Sequence, residues 1–257
     1  AGSYSSAVLL QSIGGGGGLA GDVEGSAGLG SRLNKIASDH SSDDIVLDVK
    51  GNITTVGNNS PAITASSIGG GGGWIGDVAG ELAMGSYDSN TIQHSGSITI
   101  TSEADINTLG QNSTGLLVQS IAGGGGFAGI KTSVYDTTLG SIDSDNGVAK
   151  EVDVKNKGEV KTSGDNSTGV VIQSIGGGGG ATALGSSGTN TQKLQLGAQS
   201  FGEANSGEID FRNTENITTA GDGSPAILIQ SIAGGGGAVQ SIDNAKTGST
   251  QFGSEAV

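Results

Sequence analysis

Hydrophobic and polar positions along this chain fall into one pattern that keeps returning. Each occurrence opens on an alternating segment: "IVLDVKGNITTVG", "GSITITSEADINTLG", "VDVKNKGEVKTSG" and "IDFRNTENITTAG". A polar turn follows ("NNSPA", "QNSTG", "DNSTG" or "DGSPA"), then an apolar run of the "LLVQSI" type, then four or five glycines. A variable polar stretch closes the unit, often with "LGS" or "MGS", at Leu29, Met84, Leu139 and Leu184. Val, Ile and Thr fill a period of two, and Gly, Asn, Asp and Ser punctuate it, so every unit reads as β-strands. Pro61 and Pro225 stand at strand entries, where a missing N–H is tolerated. Only "SRLNKIAS" approaches a helical period, and it is short for a helix standing alone.

The serine of the Ser-Ile pair falls at Ser12, Ser67, Ser120, Ser174 and Ser231, at intervals of 55, 53, 54 and 57 residues. Near-constant spacing with small insertions marks an array in which each unit buries its apolar face on the next. The prediction is an all-β fold: a parallel β-solenoid of about five repeats of roughly 54 residues, with stacked polyglycine tracts. It runs as one continuous segment over residues 1–257, with repeat cores near 7–18, 62–73, 115–126, 169–180 and 226–237. Because the chain opens and closes near a repeat, it reads as a fragment of a longer one. One large coil per unit and two smaller ones are both compatible with the spacing. The unbroken apolar character of "VVIQSI" and "ILIQSI" predicts strands buried on both faces. One face would look into the coil, and the other would lie under the variable stretch or a neighbouring chain.

Stacking turns positions into columns. One is the isoleucine column Ile13, Ile68, Ile121, Ile175 and Ile232; another holds Gln11, Gln119, Gln173 and Gln230, with Ser66 as its one exception. Stacked amides predict a hydrogen-bonded ladder, which a buried glutamine needs in preference to a ligand-binding stripe. The glycine tracts could in principle cradle phosphate, but they lack the Lys–Ser/Thr of a P-loop and precede no helix. Their structural reading is that only a backbone without Cβ fits, in extended or polyproline-II-like conformation.

Composition narrows the functional classes. Glycine makes up 51 of 257 residues and aromatics only 3%, with two prolines, which excludes collagen and Pro-rich linkers. The regular aliphatic clusters and 14% charged content argue against disorder. Twenty-five acidic residues against 11 basic ones, a net charge of −14, exclude nucleic acid and anionic membranes as partners. The absence of cysteine removes disulfides and thiolate metal sites, and no apolar run reaches the length of a membrane span.

Candidate chemistry is thin. His40 and His94 lie in different units, each in a polar loop, and make a poor start for a Ser–His–Asp site. Asp43 with Asp44, or Asp143 with Asp145, could serve glycosidic hydrolysis, but they do not recur at equivalent points. "SDHSSDD" and "SIDSDNG" offer oxygen ligands for Ca²⁺, yet match no EF-hand loop; otherwise no cofactor is expected. Trp74 and Phe127, each directly after a glycine tract, are the candidates for carbohydrate or protein contact. Leu19 and Ala181 hold the same position in other units, which favours packing over the glycine layer instead.

The combination "GDNSTGVVIQSIGGGGG", with its sister "GDGSPAILIQSIAGGGG", resembles the glycine-rich repeats in passenger regions of bacterial autotransporter (type V secretion) proteins and related surface adhesins. The resemblance covers the chain in five copies. It implies a right-handed parallel β-helix outside a Gram-negative outer membrane, followed by a translocator barrel that this sequence lacks. It supplies no catalytic residues. The expected function is therefore structural and adhesive, a stiff stalk of an exported surface protein or extracellular fibre. Its expected partners are neighbouring repeats or copies of the same chain, and host or matrix glycans or proteins. The alternative is a polysaccharide-acting enzyme on a β-helix scaffold.

Overall fold

The computed structural model describes residues 2–30, 39–86, 92–130, 136–140, 143–184, 193–197, 200–241 and 249–252. Among them the protein is all-β, with no helix, and its strands form several separate parallel sheets. The "SRLNKIAS" stretch lies outside the described residues.

The Gln-Ser-Ile sheet has five strands in sequence order: Val8–Ile13, Ile63–Ile68, Leu116–Ile121, Val170–Ile175 and Ile227–Ile232. A glycine sheet of five strands follows the same order: Gly17–Ala20, Gly72–Val78, Gly125–Ile130, Gly179–Leu184 and Gly236–Ser241. A third five-stranded sheet joins Ala27–Leu29, Leu82–Met84, Thr137–Leu139, Lys193–Leu196 and Ser249–Phe252. The alternating segments make a six-stranded sheet from Ile45–Thr55, Ile98–Thr108, Val152–Asn156, Val160–Thr162, Ile209–Asn213 and Ile217–Thr219. Asp143–Val148 and Ser200–Asn205 pair as a small two-stranded sheet.

Every one of these pairings joins a residue to its equivalent in an adjacent repeat. Ser12 pairs with Ser67, Ser67 with Ser120, Ser120 with Ser174 and Ser174 with Ser231. The third sheet corrects one expected column. Leu29, Met84 and Leu139 align with Leu196 rather than Leu184, which instead extends the glycine strand and pairs with Ile130. Additional residues between those two strands of the fourth unit shift the column to "LQLG".

Period-two alternation sorts the side chains. Ile63, Leu116, Val118, Val170 and Ile172 of the Gln-Ser-Ile sheet pack against Ile98, Ile100, Ile106, Val152, Val154 and Val160 of the six-stranded sheet. Leu117 and Val171 point to the opposite face, where Trp74, Phe127 and Ala181 cover them. Ile63–Ile68, Leu116–Ile121 and Val170–Ile175 are thus buried along their whole length. The covering layer comes from the residues directly after the glycine tracts. A further cluster joins Ile75, Val78 and Ala128 to Leu82, Met84, Leu139, Leu194 and Leu196 of the third sheet.

The glycine strands do not adopt polyproline-II geometry. Their φ is positive, +130° at Gly125 and +129° at Gly126, against about −75° for polyproline II. A Cβ on Gly125 would lie 1.8 Å from the Gly179 carbonyl oxygen, and one on Gly126 would lie 2.0 Å from that of Gly73. One glycine of the pair thus abuts the following repeat and the other the preceding one. Backbone bonds continue along the tracts, from Gly125 N–H to Gly71 O and from Gly179 N–H to Gly124 O.

Candidate functional site

The residues singled out by the repeat pattern come first. The glutamines form a directed ladder inside the protein. Gln119 Nε2 donates to Gln173 Oε1 at 2.9 Å, and Gln173 Nε2 donates to Gln230 Oε1 at 2.8 Å. Ser66 donates to Gln119 Oε1 at 3.3 Å, and buried Gln11 Nε2, next to the shorter serine, has no partner. Ile68, Ile121 and Ile175 form a buried stack, and Ile13 and Ile232 pack against it half-buried. Trp74 and Phe127 are only 2% and 3% exposed. Their rings stack with centroids 5.6 Å apart, and Tyr4 meets Trp74 edge-on at 6.0 Å.

Serine and threonine columns hold the turns. Ser60 N–H donates to Ser113 Oγ, Ser113 N–H to Ser167 Oγ and Ser167 N–H to Ser224 Oγ, each at about 3.0 Å. Each hydroxyl then donates back across a repeat, Ser113 to Gly57 O and Ser167 to Gly110 O. Asn59, Asn112 and Asn166 take φ of 51–52° in these turns, a left-handed conformation that asparagine tolerates. Exposed Asx side chains fasten one unit to the next in a similar way. Asp44 accepts from Ser97 N–H, Asn58 from Gln111 N–H, Asp105 from Glu159 N–H and Asp165 from Asp222 N–H.

One open groove of about 540 Å³ brings chemistry-bearing side chains together. It lies at the bend before the long strands, where Asp44 aligns with Ser97 and Ser97 with Glu151. Asp43 and Asp44 form one wall, Lys150 and Glu151 the other, with His94, Ser95, Gly96 and Ser97 between. Gly96 and Ser97 are small where their neighbours are charged, and this opens the notch. Sequence analysis singled out Asp43, Asp44 and His94 but not Lys150 and Glu151. The signal was available: both pairs stand immediately before an alternating segment.

His94 Nδ1 accepts a hydrogen bond from Val148 N–H at 3.2 Å, which places its proton on Nε2. Asp39 lies at the edge of this region. The Ser41 hydroxyl and N–H hold its carboxyl below the usual carboxylate range, and the nearby His94 and His40 rings add to the effect. Among the described residues no group of three His, Cys, Asp or Glu side chains is placed to hold a metal ion. The side chains of Asp143 and Asp145 lie outside the described residues. No described helix is long and apolar enough to cross a membrane.

Comparison with known proteins finds no matching family model, no matching curated protein and no matching solved structure.

Proposed function

We propose that the protein is a right-handed parallel β-solenoid with one coil per repeat. It serves as a stiff structural and adhesive segment of an exported bacterial surface protein or extracellular fibre. The observation that carries this reading is the parallel pairing of each repeat's strands with the equivalent strands of its neighbours in the three five-stranded sheets, in one register but for a bulge where Gly72–Val78 meets Gly125–Ile130. A unit that spends its ladders, turns and core columns on its neighbours is a building element, and repetition lengthens it without changing its cross-section. Surface contact then falls to the variable stretches, which a solenoid carries on its flank.

The groove is the one observation that favours an enzyme. Asp44 and Glu151 stand two units apart, about 10 Å at the spacing of β-strands, at the far edge of the separation of an inverting carboxylate pair. Both acids are exposed, however, and Asp44 already caps the Ser97 N–H. A general acid needs the opposite, a desolvated carboxyl free to hold a proton.

The test is a screen of immobilised glycans and matrix proteins, run beside assays for polysaccharide cleavage. Retention on a surface or matrix component without turnover is expected. Cleavage that is lost in Asp44→Asn or Glu151→Gln would overturn the structural reading in favour of the enzyme.

A further inference from the structure

The two histidines stand in different settings. His40 Nδ1 lies 3.3 Å from Ser86 Oγ, whose hydroxyl also reaches Gly70 O at 2.7 Å. His94 instead accepts through Nδ1, and its donor is the backbone N–H of Val148 in the next repeat. Protonation turns that acceptor into a second donor, and two N–H groups cannot face each other.

We propose that His94 is a proton-operated clasp between adjacent repeats, closed on Val148 N–H when neutral and released when a solvent proton adds to Nδ1. The clasp lies where Asp143–Val148 ends, and the same imidazole borders the groove, so opening it would alter both the junction and the groove's shape. The charged groups around the ring are Asp39 and His40 on the segment before Ile45, Asp43 and Asp44 on one wall, and Lys150 and Glu151 on the other. The carboxylates outnumber the cations. The clasp requires a bare Nδ1, so it is present with the neutral imidazole and lost when Nδ1 carries a proton. The proposal does not depend on the adhesive reading.

Hydrogen exchange of the Val148 amide, read by NMR on the whole chain from pH 8 to pH 5, tests it across the range in which imidazoles change charge. Protection is expressed relative to the intrinsic exchange rate at each pH. It is expected to fall about threefold to tenfold on acidification, the worth of one hydrogen bond. In His94→Asn, whose Oδ1 stands where Nδ1 does and accepts at every pH, protection should stay level, while His40→Gln should follow the wild type. A wild-type profile that stays level, or an equal fall in His94→Asn, overturns the proposal. Should the variant not fold, the wild-type imidazole ¹⁵N shifts decide: a bare Nδ1 at pH 8 that gains a proton at pH 5 supports the clasp. A protonated Nδ1 at pH 8 refutes it.

Discussion

Replacing Gly126 by alanine separates the two reasons why glycine stands there. The first is conformational: a residue with a Cβ held at φ +129° costs about 1–3 kcal/mol. The second is steric. The new Cβ would stand 2.0 Å from the Gly73 carbonyl oxygen, where ordinary contact begins at 3.4 Å. The two glycine strands must part to make up the difference. That strains the adjacent backbone bonds, Gly124 N–H to Gly69 O at 2.8 Å and Gly125 N–H to Gly71 O at 3.1 Å. Each buried backbone group left without its partner costs about 1–3 kcal/mol.

Gly18 provides the control. It pairs with Gly73 in the same column and has φ +137°, but a Cβ there meets nothing within 4 Å. Gly18→Ala should therefore cost only the conformational part, about 1–3 kcal/mol. Gly126→Ala should exceed it by at least about 2 kcal/mol, the loss of two such bonds at their lower limit. Urea titration gives the comparison. Hydrogen exchange at the tract amides supports it, because repeat arrays lose cooperativity between distant units. Equal losses in the two variants would show that the tracts are kept for φ alone, and that close approach between repeats plays no part.

Gln173→Leu breaks the amide ladder at its centre and strands Gln119 Nε2 and Gln230 Oε1, at a cost of about 2–4 kcal/mol in chemical denaturation. A cost below about 1 kcal/mol would mean that the amides pack without bonding usefully. Ser113→Ala removes both the acceptor of Ser60 N–H and the donor to Gly57 O, and should cost about 1–3 kcal/mol; an unchanged denaturation midpoint would contradict it. The Lys50 ammonium, hydrogen-bonded at 2.7 Å, and Lys157 hold the Glu103 carboxyl below its ordinary value of 4.5. That contact contributes stability above the unfolded carboxylate's titration and loses it as pH falls through the folded one. Wild type should therefore lose stability faster than Glu103→Gln on acidification below about pH 4.5, with the gap closing in 1 M salt. Parallel pH profiles at low salt would remove the pair from the account.

Local chemistry made the strands legible. Alternating Val, Ile and Thr mark the six-stranded sheet, and the unbroken run in "LLVQSI" marks burial on both faces. What covers the outer face was less legible, because it depends on where the chain goes after the glycines. Leu19 and Ala181 at the equivalent positions favour packing for Trp74 and Phe127 over exposed contact, but do not say which residues they cover; the chain folds them over Leu117 and Val171. Leu184 and Leu196 show a second limit: residues inserted between strands move a column without changing the motif that seems to mark it. The sign of φ in the tracts is a third. Glycine permits both signs equally, and only contact with the neighbouring repeats selects the positive one. The groove escaped notice because its walls stand about a hundred residues apart in the chain, and only the strand register joins them.

The acidic surface and the glycine tracts answer one physical demand. Parallel units that repeat along an axis leave backbone N–H groups at every turn, and each needs an acceptor. In the straight parts the neighbouring strand supplies it, and in the tracts the absence of Cβ lets bare backbone come close enough. At the bends Asp44 and Asp165 supply it with carboxylate oxygens, and Asp105 does so for Glu159 N–H in the break between Val152–Asn156 and Val160–Thr162. An aspartate used in this way is fixed by the next repeat. Its charge follows from its place beside the next repeat. The same reasoning sets His94 apart: it fills the acceptor's place with a group that a proton can disable.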